Sequence, residues 1–193
     1  MTQIVYSAGV SLDGYIADAN GGVDWLHAAM VKGESYGLDE FMRSIDAVLM
    51  GSRTYEKAVG MGGGFGGKTP TWVFSSRPLR GKGITVTSES PDAVVAQLNA
   101  RGIRRAWLMG GGKLASSFLA AGLIDEISLG IMPVVLGSGI PVFGGGIPPT
   151  HLKLVSKHEY KGGALGLTFE PAAESTASER GPSKPACRES RRT

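Results

Sequence analysis

The residues best suited to chemistry in this sequence sit in three turns. Met109-Gly110-Gly111-Gly112-Lys113-Leu114 stands between an apolar run, Ala106–Met109, and a segment of helical period, Lys113–Ala121. Consecutive glycines at a strand-to-helix turn let a phosphate approach the backbone, where the unpaired N–H groups and the dipole of a helix N-terminus favour an anion. A second turn, Met50-Gly51-Ser52-Arg53-Thr54-Tyr55-Glu56, follows the run Ala47–Met50. Its Ser52 has the side chain to cap a helix, and its Arg53 has the reach to meet an anion. A third, Ser75-Ser76-Arg77, follows Thr71–Phe74 and offers two hydroxyls and a guanidinium, a set suited to a phosphomonoester. Taken singly, each is also an ordinary turn. Three anion-friendly turns after three strands suggest one extended ligand with several phosphates.

A fourth glycine cluster is a decoy. Gly62 to Thr69 has the form of a P-loop, with Gly62, four residues, then Gly67-Lys68-Thr69. A working P-loop follows a strand and opens a helix, so that its N–H groups converge on phosphate. Here a helical segment precedes the cluster, and Pro70 and the β-rich Thr71–Phe74 follow it. A flexible surface loop is the better reading.

The elements that must position these turns are legible from periodicity. Gln3–Val10, Ala47–Met50, Thr71–Phe74, Ile84–Thr87, Ala106–Met109 and Glu126–Ile131 are strand candidates. Leu38–Ile45, Thr54–Val59, Pro91–Ala100 and Lys113–Ala121 are the helices between them, the third opening with Ser90 as cap and Pro91 in the first turn. Strands separated by helices imply crossovers and a mostly parallel sheet. After residue 124 the pattern changes. Leu152–Glu159 and Ala164–Glu170 are strands with no helix between them, and Gly162-Gly163 sits where a hairpin turns. The expected fold class is therefore α/β, a mixed, mostly parallel sheet with antiparallel C-terminal strands, whose ligands collect at the carboxyl ends of the strands.

Composition narrows the function. A length of 193 residues fits one domain, expected over residues 1–171. Ala172 to Thr193 is rich in Ser, Glu, Arg, Pro and Ala and is expected to be a disordered tail. The net charge of +3 is largely the tail's, where five basic residues (Arg180, Lys184, Arg188, Arg191, Arg192) face three acidic ones (Glu174, Glu179, Glu189). A near-neutral body argues against nucleic acid as partner. The one cysteine, Cys187, lies in the tail, and His27, His151 and His158 have no ligand spacing, so no metal is expected. No apolar run is long enough to cross a bilayer and Met1 leads directly into a strand, which makes the cytoplasm the expected compartment.

The order of these motifs resembles the dihydrofolate reductase superfamily, and within it the reductase domain of the bifunctional riboflavin-biosynthesis protein, the RibD C-terminal domain family. The resemblance covers roughly Met1 to Pro171. It is carried by Ser11-Leu12-Asp13-Gly14-Tyr15-Ile16-Ala17, Val23-Asp24-Trp25-Leu26, Met50–Glu56, Ser75-Ser76-Arg77, Met109–Leu114, and Gly122-Leu123-Ile124-Asp125-Glu126 leading to Pro133 and Leu136-Gly137. It implies a three-layer α/β/α dihydrofolate-reductase-like fold and an NADPH-dependent reductase, with the cofactor laid across the carboxyl edge of the sheet. Its nicotinamide is then expected near Gly9, Ile16 and Ala17, and its pyrophosphate near Gly51, Ser52, Arg53 and Thr54 and near Met109, Gly110, Gly111, Gly112, Lys113 and Leu114. Ser75, Ser76 and Arg77 are left for the 2′-phosphate.

Where folate-reducing members carry a carboxylate this chain has Gly37, and where they carry a folate-binding arginine it has Thr69. Tyr15 replaces the basic residue usual in riboflavin-pathway members, and the deaminase half with its zinc motif is not in this sequence. The expectation is a stand-alone reductase domain acting on a small planar heterocycle. A ribosylaminopyrimidine-like compound leads; a pterin or folate-like one is the alternative, and a non-catalytic NADPH-binding protein is the alternative of another class. The resemblance also implies a homodimer through Ile124 to Phe143.

Individual residues complete the picture. Asp13 is the candidate proton donor, weighed against a turn-forming Asp-Gly. Trp25 is a candidate active-site wall on a mobile loop, weighed against a loop anchor. Ser7 and Phe41 are the candidate substrate contacts, Phe41 weighed against core packing. Asp125-Glu126 is expected to solvate the start of a strand rather than to form a paired-carboxylate site.

Overall fold

The computed structural model describes residues 1–63 and 69–172. Lys68 of the decoy P-loop and the tail from residue 173, with Cys187, lie outside the described residues. In chain order the elements are β1 (Gln3–Ser11), β2 (Tyr15–Ala17), α1 (Asp24–Ala29), α2 (Leu38–Ser44), β3 (Ala47–Gly51), α3 (Ser52–Gly60), β4 (Thr71–Phe74) and β5 (Ile84–Thr87). They continue with α4 (Pro91–Ala100), β6 (Arg105–Met109), α5 (Gly112–Ala120), β7 (Glu126–Met132), β8 (Ile140–Pro141), β9 (Leu152–Glu159) and β10 (Leu165–Pro171). No helix among the described residues is long and apolar enough to cross a membrane.

The main sheet has the order β5-β4-β3-β6-β1-β7-β10-β9. The first six strands in that order pair in parallel, and β10 pairs antiparallel with both β7 and β9. This is the mixed sheet expected from the pattern, with the β9–β10 hairpin turning at Gly162-Gly163. Alternation along the strands builds two packed layers, because successive side chains point to opposite faces. On one face Ile4, Tyr6, Leu49, Trp72 and Leu108 pack with Val94 and Leu98 of α4 and Ala115, Phe118 and Leu119 of α5. On the other, Val48, Met50 and Val73 pack with Tyr55 of α3, Phe41 of α2 and Trp107. Covered on both sides, β3 reads as the unbroken apolar run Ala47–Met50. Full burial of a side chain such as Phe118 contributes about 1.5–3 kcal/mol to the core.

Local signals hold where they have a mechanism. Ser90 caps α4, its Oγ accepting from Ala93 N at 3.4 Å, with Pro91 in the first turn. Ser52 does not cap α3. The helix begins at Ser52 itself, and Gly51, extended at φ −80°, ψ 159°, is the capping position. A residue already inside the helix has no capping geometry. Asp125-Glu126 does more than solvate a strand end. The β1–β7 register starts at Val5↔Glu126, which leaves the backbone of Ile4 without a ladder partner on that side. Asp125 supplies one: its Oδ2 accepts from Ile4 N at 2.7 Å, and its own N–H donates to Ile4 O at 3.0 Å. Glu126 takes both bonds of a bidentate pair with Arg105, at 3.0 and 3.1 Å.

Candidate functional site

The β1–β6 register ends at Ser7↔Met109, while β1 runs on to Ser11. On the β6 side, Ala8 to Ser11 therefore have no neighbouring strand, and the sheet opens there into a cleft of about 1460 Å³. Its walls are the turns at the carboxyl ends of three neighbouring strands: Gly51–Thr54 after β3, Phe74 at the end of β4, and Met109–Leu114 after β6. This is the position in which open α/β sheets bind ligands.

The two glycine turns meet across Thr54. A Cβ built on Gly110 would lie 3.4 Å from Thr54 Cγ2, and one on Gly111 3.5 Å from Thr54 Oγ1. Gly110 and Gly111 hold φ of +60° and +77°, a region in which other residues are strained, and Gly111 is the capping residue of α5. The first N–H groups of α5 have no intrahelical partner, so the turn brings backbone donors and the positive end of a nine-residue helix to the cleft. Gly112 has another reason to be glycine. A Cβ there would lie 2.2 Å from the carbonyl oxygen of Pro141.

That contact belongs to a strap the sequence reading did not identify. Residues 139–144 run across the cleft from β2 to α5: Val142 N donates to Gly14 O at 2.9 Å, and Gly144 N to Gly112 O and Ser116 Oγ, each at 2.9 Å. The phenol of Tyr6 donates to Val142 O at 2.6 Å, and burial pushes its pKa well above the usual tyrosine range. Gly139, Ile140, Pro141 and Gly144 of the strap line the cleft. The run Gly144-Gly145-Gly146 was its only sequence signal.

Charge in the cleft is lopsided. Arg53, Lys57 and Lys113 line it and form no ion pair among the described residues. Glu56 is the one carboxylate among the described lining residues, and it is bound bidentately by Arg77 Nη2 at 2.6 and 2.8 Å. All four charged lining residues belong to α3 and α5. The opposite end, built from Ser7, Ala8, Gly9, Ile16, Asn20 and Leu26, carries none. Lys57 was missed, although Arg53 and Lys57, four positions apart, share one face of α3.

Of the residues singled out by sequence, Ser7, Gly9, Ile16, Gly51, Ser52, Arg53, Thr54, Met109, Gly110, Gly111, Gly112, Lys113 and Leu114 come together on this cleft. Ala17, Ser75, Ser76, Arg77, Asp13, Trp25 and Phe41 are not among its lining. Ala17 is buried in the β2–β8 ribbon, paired with Ile140. Arg77 stands behind Glu56, and the Ser75 hydroxyl closes a local turn, donating to Arg77 O at 2.7 Å and accepting from Arg77 N at 3.1 Å. Phe41 packs edge-on against Trp107, ring centroids 5.4 Å apart, and Trp107 in turn lines the cleft and donates its Nε1–H to Ser7 O at 3.0 Å. Trp25 is half-buried on α1, its Nε1 shut off from solvent without a partner among the described residues, while its neighbours Val23 and Leu26 face the cleft.

Asp13 is a clasp. Its carboxylate accepts from Ser11 Oγ at 2.7 Å, Leu136 N at 3.1 Å and Gly137 N at 2.7 Å, tying the β1–β2 turn to the loop after β7. The Ser11 hydroxyl, with help from those two N–H groups, lowers its pKa below the usual range.

Residues 65–165 match the model of the RibD C-terminal domain. Among curated proteins, YwjB of Bacillus subtilis (strain 168) is 33% identical over 169 residues, covering 86% of this chain and 95% of that protein. YyaP of the same organism is 26% identical over 185 residues, covering 86% and 94%. Among solved structures, a Shewanella sp. PV-4 protein assigned to riboflavin biosynthesis superposes with a TM-score of 0.80 at 26% identity, covering 90% of this chain and all of that one. A diaminohydroxyphosphoribosylaminopyrimidine deaminase/5-amino-6-(5-phosphoribosylamino)uracil reductase of Thermotoga maritima follows at 0.69 and 22%, this chain spanning 57% of it and sharing its fold. The sheet order, the family match and a relative one-third identical over nearly its whole length agree: the chain belongs to the RibD C-terminal domain family, with its dihydrofolate-reductase-like fold.

Proposed function

We propose that the protein is an NADPH-dependent oxidoreductase acting on a small planar heterocycle. The observation that carries this reading is the junction of two glycine turns and the N-terminus of α5 at Thr54, beside three cations that form no ion pair among the described residues and above a strand edge left open by β6. A cleft of about 1460 Å³ exceeds the roughly 300–1000 Å³ of a site for one drug-sized molecule, leaving room for a dinucleotide and a second ligand. The residues present fit such a cofactor. Gly51–Thr54 and Gly110–Leu114 would hold the pyrophosphate, the β1 edge at Ala8 and Gly9 with Ile16 the nicotinamide, and Ser76 and Arg77 the 2′-phosphate. NADPH, when bound, supplies the hydride. The chain itself positions the reactants and excludes water: the strap fixes one wall, and Leu26 closes over Gly9, so that a Cβ there would lie 2.9 Å from its methyl carbons.

Membership of the RibD family and the likeness to the Shewanella protein favour a ribosylaminopyrimidine of riboflavin synthesis as substrate. One observation favours a second reading, an unphosphorylated pterin-like ring: the described lining of the cleft has no cation at the end away from α3 and α5. A homodimer through Ile124 to Phe143, as the resemblance implies, belongs to the same proposal; the exposed edge strand β9 lies outside that segment.

Titration of the purified protein with NADPH and NADH, followed by nicotinamide fluorescence, tests the cofactor. Micromolar or tighter binding of NADPH, preferred over NADH, is expected. Binding of neither would sink the reading. A screen of NADPH oxidation against pyrimidine and pterin substrates with and without a phosphate then separates the two substrate classes.

A further inference from the structure

The Glu56–Arg77 pair is oddly placed for a structural salt bridge. Both side chains are largely exposed, at 44% and 61%, where an ion pair contributes little to stability. Glu56 belongs to α3, one turn beyond the anion-binding start of that helix, and is the one carboxylate among the described residues lining an otherwise cationic cleft. Arg77 comes from the turn after β4, and both bonds to the carboxylate run from its Nη2. A contact through one nitrogen is looser than a two-nitrogen fork, and the same guanidinium has the donors to meet a phosphate.

We infer that Glu56 is a specificity-determining residue for the dinucleotide: it competes with a 2′-phosphate for Arg77 and so sets how strongly NADPH is preferred over NADH. This rests on the cofactor reading above. A 2′-phosphate carries about −1.5 to −2 charge near neutral pH, so reaching Arg77 means displacing Glu56 and then standing beside it. A ribose 2′-hydroxyl does the opposite, since it donates to a carboxylate, and an acidic residue near the ribose is the usual mark of a site for the unphosphorylated cofactor. One residue therefore weakens NADPH and favours NADH, and the chain keeps a smaller preference than Arg77 alone would give. Arg53 and Lys57, on either side of Glu56 in sequence, serve both cofactors and do not discriminate.

Glu56→Gln keeps the size of the side chain and its place on an exposed helix face. Its expected effect is NADPH and adenosine 2′,5′-bisphosphate binding about fivefold to tenfold tighter, with NADH binding unchanged or weaker. In the Arg77→Ala background the same substitution brings less than a twofold gain, because the competition needs both partners. The inference is overturned if Glu56→Gln leaves the NADPH-to-NADH ratio unchanged, or if the gain persists without Arg77. If the unaltered protein binds NADPH and NADH yet shows either result, only the inference fails; if it binds neither, the cofactor reading fails and takes the inference with it.

Discussion

Two glycines 61 positions apart separate the stability of the site from its use. Gly112→Ala places a methyl carbon 2.2 Å from Pro141 O, 3.1 Å from Gly144 N and 3.2 Å from Val142 O, all backbone atoms. An ordinary contact needs about 3.4 Å or more, so the strap or the start of α5 must shift by about 1 Å. Overpacking of this order costs about 1–3 kcal/mol, and because Gly112 is the first residue of α5 the helix-interior advantage of alanine over glycine does not offset it. At roughly 2–4 °C per kcal/mol for a chain of this size, the melting temperature falls by roughly 2–12 °C. Gly51→Ala is the counterpart. Its φ of −80° suits any residue, and a Cβ there meets nothing within 4 Å. The loss of unfolded-state freedom makes this variant equal to or up to about 1 kcal/mol more stable than the parent. Its methyl group nevertheless stands in the cleft where a phosphate must come within hydrogen-bond distance of backbone. Losing one charge-assisted bond weakens binding by about tenfold or more. Thermal melting and NADPH titration of both variants decide the matter. A Gly112→Ala protein that melts with the parent would refute the packing of strap on α5, and a Gly51→Ala protein that binds NADPH as the parent does would refute a pyrophosphate path across the end of β3.

Other substitutions probe single contacts. Asp13→Asn is expected to lower stability and to leave the rate of hydride transfer within about threefold. The folded-state pKa of Asp13 is depressed, so its contribution is present above the unfolded carboxylate pKa of about 3.9 and is lost as pH falls through the lower folded value. Urea titrations of parent and variant should therefore differ at pH 7 and converge in acid; a rate loss above a hundredfold at unchanged stability would make Asp13 catalytic after all. Trp107→Phe should remove part of the quenching of protein fluorescence by NADPH, because among the three tryptophans Trp107 alone lines the cleft. Quenching that survives in full would place the dinucleotide elsewhere. Glu126→Ala strands Arg105, whose Nε is already buried without a partner among the described residues, and is expected to cost about 1–3 kcal/mol in urea unfolding. A cost below a few tenths would show the pair to be surface decoration.

The sheet was legible because its signals are local and have a period. β4, β5, β9 and α4 were read at their observed limits, and β1, β3, β6, β7 and β10 within a residue or so at each end. Burial on both faces makes a continuous apolar run, and a glycine pair between two alternating runs makes a hairpin. The elements that escaped, β2, α1 and β8, are of three, six and two residues. A strand of two residues has no period to detect. It exists because Ile140-Pro141 is held between Tyr15–Ala17 and the start of α5, and such tertiary causes leave no pattern in a short window.

The same distinction divides the site. The glycine turns were legible because a phosphate cradle at a helix N-terminus needs glycine in one stretch of chain, and the nearness of the two turns followed from the strand order. Charge pairing was not legible. Ser75-Ser76-Arg77 reads as a ready anion site only while Arg77 is considered without Glu56, 21 residues away in sequence and 2.6 Å away in the fold. Asp13 likewise shows its contacts with the N–H groups of Leu136 and Gly137, more than 120 positions later, only in the fold. In both cases the residue type is legible in the sequence and its partner is not: Arg77 already holds a carboxylate that a phosphate would have to displace, and Asp13 already accepts from three donors.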